Sequence, residues 1–126
     1  MELLKKKVLI AESDDVVRGL LAHILQRKDF LVHTASTAEQ ADQLLAVEEY
    51  DAIVIAAGDG PIGGMRLVTS LAENAPHRLP RTIVTTVATS QAESLAALPL
   101  HAIVKKPVEI GDFVELVRQC VAKPLP

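Results

Sequence analysis

The chain has 126 residues, which fits one domain at the usual ~100–200 residues each and leaves no room for a second ordinary core. Apolar residues make up 49% and charged residues 23%, a balance that can bury a core and excludes a disordered or collagen-like chain. Thirteen Lys and Arg against sixteen Asp and Glu give a net charge of −3, without the basic excess that binding to a phosphate backbone relies on, so direct nucleic-acid binding is not expected.

Lys5-Lys6-Lys7 precedes the apolar Val8-Leu9-Ile10-Ala11, which is too short for the hydrophobic part of a signal peptide or for a membrane span. The three lysines read as solvated charges leading into a first strand. Glu12-Ser13-Asp14-Asp15 ends that strand. Val17, Leu20, Leu21, Ile24 and Leu25 then recur at helical spacing, predicting an amphipathic helix from Asp15 to Lys28, capped by Asp14 or Asp15.

Phe30 to Ala35 is rich in strand formers, and Ser36-Thr37-Ala38-Glu39 matches a capping box opening a helix to about Glu48. A third apolar run, Ala52 to Ala57, ends in the loop Gly58-Asp59-Gly60-Pro61-Ile62-Gly63-Gly64. Met65, Leu67, Val68 and Leu71 predict a third helix. Pro76 and Pro80 bracket a connection, and Thr82 to Val87 is a β-branched fourth strand. Ser90-Gln91-Ala92-Glu93 repeats the capping-box pattern before a short Ala-rich helix. Ala102-Ile103-Val104 gives a fifth strand, Lys105-Lys106-Pro107 a turn, and Phe113, Val114, Leu116, Val117 and Val121 the stripe of a last helix.

Five strand-helix units predict an α/β domain: a doubly wound, five-stranded parallel sheet with right-handed crossovers and helices on both faces. In such sheets the functional crevice lies beyond the carboxyl ends of the strands. The informative residues are therefore those just after each strand: Glu12 to Asp15, Ala56 to Pro61, Thr85 to Ala88 and Lys105 to Pro107.

From about Lys7 to Val121 the chain resembles the receiver domains of bacterial two-component response regulators. Val8 to Arg18 is similar to the family opening, in which an apolar strand ends in an acidic cluster and an arginine follows on the first helix. Asp51-Ala52-Ile53-Val54-Ile55-Ala56 resembles the third strand, which in the family ends on the aspartate that accepts a phosphoryl group. Pro61 and Gly64 resemble the Pro and Gly behind that aspartate, Ile83 to Thr86 the fourth strand with its terminal hydroxyl, and Lys106-Pro107 the Lys-Pro after the fifth. The resemblance implies the flavodoxin-like strand order 2-1-3-4-5, one domain over 1–126 with its core at 7–121 and a tail or linker stub at 122–126.

The resemblance also implies a site and shows where this chain departs from it. The family uses a nucleophilic carboxylate, an acidic cluster that holds Mg²⁺, a lysine and a hydroxyl that offset the charge of the transferred phosphoryl group. The acceptor position here is Ala56, which has only a methyl group. The acidic pocket reads Glu12, Ser13, Asp14, a neutral hydroxyl standing where the family places a metal-ligating carboxylate, so Mg²⁺ is expected to bind weakly if at all, with Glu12 and Asp14 the remaining metal candidates. Lys106 is retained, as is a hydroxyl at Thr86 or, in the alternative register, Thr85. The family's switch aromatic falls on Ile103, and Pro107 is a candidate for a cis bond. Without a phosphate, Lys106 is expected to pair with Glu12 or Asp14.

These departures point to a pseudo-receiver, a phosphorylation-independent interaction module in two-component signalling. Partner proteins are expected at the surface of the fourth helix, fifth strand and fifth helix, where Leu95, Leu98, Leu100 and Ile103 are apolar, with homodimerisation as a further use of that face. The alternative is a receiver phosphorylated at a displaced acceptor, Asp59. A third reading is a flavin or small-ligand binder on the same scaffold, and with one Tyr, two Phe and no Trp the chain lacks aromatic clamps for a flat ring. The glycines spell no P-loop and no dinucleotide fingerprint. His23, His33, His77 and His101 have no ligand-like spacing, and the single Cys120 forms no internal disulfide and fits a reducing cytoplasm.

Overall fold

A computed structural model describes residues 5–58 and 60–123. Strands β1 (Lys7–Ala11), β2 (Leu31–Ala35), β3 (Ala52–Ala56), β4 (Thr82–Thr86) and β5 (Ala102–Lys105) alternate with helices α1 (Asp15–Arg27), α2 (Ala38–Val47), α3 (Gly64–Asn74), α4 (Thr89–Leu95) and α5 (Ile110–Ala122). A 3-10 turn at Pro76–Arg81 joins α3 to β4. All strand pairs are parallel and the order is β2-β1-β3-β4-β5, the doubly wound sheet expected from the alternation.

The central strands β1, β3 and β4 are buried on both faces, which is why they read as unbroken apolar or β-branched runs. Strand pleating divides them between two cores. Leu9, Ile53, Ile55 and Val84 pack with Leu67, Val68 and Leu71 of α3 and Leu95 of α4. Val8, Ile10, Val54 and Ile83 pack with Leu21 and Leu25 of α1 and Phe113 and Val117 of α5.

Both predicted capping boxes are corrected. At α2 the cap is Thr37, whose Oγ1 accepts from the Gln40 amide, while Gln40 Oε1 accepts from Ser36; the pair is Thr37 and Gln40, one residue beyond Ser36 and Glu39. At α4 the helix opens two residues earlier than Ser90-x-x-Glu93 implies, behind Ala88, which has no capping side chain. Asp14 caps α1, accepting from the amides of Val16 and Val17. Leu20, assigned to the buried stripe of α1, is 49% exposed and lines an open hollow at the carboxyl end of the sheet. Ala122 closes α5, so of the proposed tail only Pro124 to Pro126 lie outside the described residues.

Candidate functional site

The carboxyl ends of β1, β3 and β5 surround a crevice of about 230 Å³, lined by Glu12, Ser13, Asp14, Ala56, Ala57 and Lys106 among others. The sequence placed these groups together, and the fold brings them there. Glu12 is buried, with one carboxylate oxygen 2.9 Å from Lys106 Nζ and the other accepting from the Asp14 amide at 3.1 Å. Lys106 thus pairs across the sheet with Glu12, the first of the two partners expected for it. The Lys106-Pro107 bond is cis.

Ser13 Oγ accepts from the Ile62 amide at 2.9 Å, so its hydroxyl fastens the loop after β3 to the loop after β1. The fit is close: a Cβ on Gly60 would come within 2.7 Å of that hydroxyl oxygen. Arg18 Nη1 donates to the Glu12 carbonyl at 3.0 Å and the Ser13 carbonyl at 3.3 Å, holding the acidic turn from below, and its Nη2 pairs with Asp15.

Ala56 ends β3 with a methyl group at the crevice. Gly64 backs it: any side chain there would run into the Ala56 carbonyl, and Gly63 beside it has a φ of 55°, in the left-handed region. Asp59 lies outside the described residues.

The pleat places the two fourth-strand hydroxyls on opposite faces of the sheet. Ala56 is in register with Thr85, and Thr85 with Val104, so these three share one face. Thr86 faces the other side, where its Oγ1 donates to Gln91 Oε1 at 2.6 Å and accepts from the Ala88 amide, serving the start of α4. Neither hydroxyl lines the crevice itself: Thr85 lines a hollow beside it, and Thr86 serves α4. Ile103 is half-buried and packs against the core on the α3 and α4 side.

Beside the crevice, and sharing Glu12, Lys106 and Val87 with it, runs a second hollow of about 400 Å³. Its walls are Val17, Leu20 and Leu21 of α1 with Val108 and Ile110 at the start of α5, and Thr85 lies in its floor. The sequence reading missed this groove. The signal was present in Val87, Val108 and Ile110, aliphatic residues just after strands and at the start of α5, of which Val87 and Ile110 are exposed.

Residues 8–118 match the family model described as "Response regulator receiver domain". The chain belongs to that family. It is 27% identical over 115 residues to the regulatory protein VirG of Agrobacterium fabrum, covering 90% of this chain and 45% of VirG, so it spans less than half of that relative's length. Among solved structures it is similar to a CheY-like receiver domain protein from Methanospirillum hungatei, with a TM-score of 0.83 at 18% identity and 94% of each chain covered. The non-phosphorylated HemR receiver domain from Leptospira biflexa is similar at a TM-score of 0.82 and 18% identity, covering 97% of this chain and 98% of that one. At such identities the structural likeness speaks for the receiver fold alone.

Proposed function

We propose that this receiver domain is a pseudo-receiver, whose signalling output does not depend on phosphorylation of its strand-end crevice. The observation that carries the reading is Ala56: the residue closing β3 at the crevice has no oxygen to attack a phosphoryl group. The acidic turn and its serine support it, because each already has a partner. Glu12 is held by Lys106 and the Asp14 amide, Ser13 by the Ile62 amide, and the Asp14 carboxylate by the first turn of α1. This donor set does not fit Mg²⁺, which takes near-octahedral oxygen ligands, usually including carboxylates and the phosphate itself.

In this reading the domain turns over no substrate and works through protein contacts on the face of α4, β5 and α5. Leu98, Leu100 and Ile103 are half-buried there and available at their edges, whereas Leu95, expected on this face, fills the core at 1% exposure. Incubation with Mg²⁺ and acetyl phosphate, followed by intact mass measurement, tests the proposal. The expected result is an unchanged mass. A phosphate-sized gain abolished by Asp59→Ala would overturn it in favour of the displaced acceptor.

A further inference from the structure

The apolar groove next to the crevice has the makings of a ligand site. Its volume of about 400 Å³ falls in the range of small-molecule pockets, which combine mostly apolar walls with a few convergent polar groups. Of the wall residues, Leu20 and Ile110 are 49% and 44% exposed, and Val87 is 68% exposed at the join with the crevice. Isolated aliphatic residues on a surface are ordinary, but here α1, the end of β4 and the start of α5 bring them round a single hollow.

The floor carries two polar groups. Thr85 is 2% exposed and lines the hollow, and its hydroxyl takes part in none of the side-chain hydrogen bonds among the described residues, whereas Thr86 is engaged with Gln91 and Ala88. A hydroxyl opening onto the hollow can donate to a ligand acceptor. Lys106 lies in the same floor, with one hydrogen bond, to Glu12, for its three donors.

The charges select among ligands. The Lys106 ammonium is already neutralised by Glu12, so an anionic head would face a carboxylate without a free cation to offset it. A carbonyl oxygen can accept from both Thr85 and Lys106 and brings no charge. We infer that the groove between α1 and the start of α5 binds a small, uncharged molecule with an apolar body and a carbonyl-type acceptor seated on Thr85 and Lys106. Such a ligand would occupy the rim of the crevice, so the binding site stands whether or not the domain ever accepts phosphate.

The test uses the environment-sensitive dye 6-propionyl-2-dimethylaminonaphthalene, which is uncharged and carries one carbonyl, alongside 2-dimethylaminonaphthalene, which lacks it. Wild type should bind the carbonyl dye saturably at one per chain, with a blue shift in emission. Leu20→Asp should weaken both dyes about tenfold or more by placing a charge in the apolar wall. Ile110→Asp, on the opposite wall, should do the same and replaces it if Leu20→Asp lowers the melting temperature. Thr85→Val should weaken the carbonyl dye about fivefold and leave the other unchanged, and Thr85→Ser should restore the loss. Absence of saturable binding, binding indifferent to the wall substitutions, or equal loss of both dyes in Thr85→Val would overturn the assignment. So would sedimentation showing that wild type buries this groove in a dimer that Leu20→Asp dissociates.

Discussion

The two ends of the sheet use similar side chains to different effect. At the amino ends of the strands, charged groups close the structure. Arg78 Nη2 donates to the carbonyls of Leu45 and Glu48 at 2.9 and 3.1 Å, finishing α2, and Arg81 reaches the Tyr50 carbonyl at 3.4 Å. Lys7 meets Glu48 at 2.6 Å and holds its carboxyl below the ordinary range, while burial pushes the Tyr50 phenol up to about 12. At the carboxyl ends a charged pair, Glu12 and Lys106, also closes on itself, yet the apolar walls beside it stay open. The amino ends nonetheless leave Arg78 Nη1 and Arg81 Nη2 buried without a partner, so what distinguishes the carboxyl ends is the open apolar wall beside the pair and not a poorer match of donors.

The comparison can be broken most severely at the open end. Gly64→Ala drives a methyl group into the Ala56 carbonyl, and urea unfolding should show a loss of about 3 kcal/mol or more. At the closed end, Arg78→Leu leaves the Leu45 and Glu48 carbonyls without their donor, with an expected loss of about 2 kcal/mol in the same measurement. Lys106→Met strands the buried Glu12 carboxylate, and because Lys106 is partly exposed the expected cost is about 1–2 kcal/mol. The double variant Glu12→Gln with Lys106→Met should recover part of that loss. A double variant no better than Lys106→Met alone would show that the pair is not what closes the crevice.

The smallest effect concerns pH. Burial, with help from the Lys123 ammonium, holds the His101 imidazole below its ordinary 6.5, so the folded state favours the neutral ring. Its contribution to stability is full above pH 6.5 and is lost as pH falls through 6.5 towards the lowered folded value. His101→Gln should flatten that part of the stability profile, measured as urea midpoints across pH 5 to 8.

The sheet was legible in the sequence because each central strand is a short apolar run between helix-period segments, and that pattern admits few topologies. The Glu12 and Lys106 pair was legible because a buried charge needs an opposite one. Which of Thr85 and Thr86 shares the face of Ala56 was not, since it depends on which residue of β4 lies beside Ala56, and cross-strand register is written in no single segment. The α2 cap was misplaced by one residue because Ser36 and Thr37 are both hydroxyls, each with a capping partner three positions on. Leu20 was placed in the core because helical periodicity reports a face and not whether every residue of that face is covered.

That the crevice has no acceptor at Ala56, and that Glu12, Ser13 and Asp14 are already engaged, is tested most directly by amide NMR during titration with Mg²⁺ and beryllofluoride, a phosphoryl mimic. The amides of Glu12 to Asp14, Ala56 to Gly58, Thr85 to Val87 and Lys106 are expected to stay unmoved at millimolar concentrations. Saturable shifts confined to those residues would contradict the account.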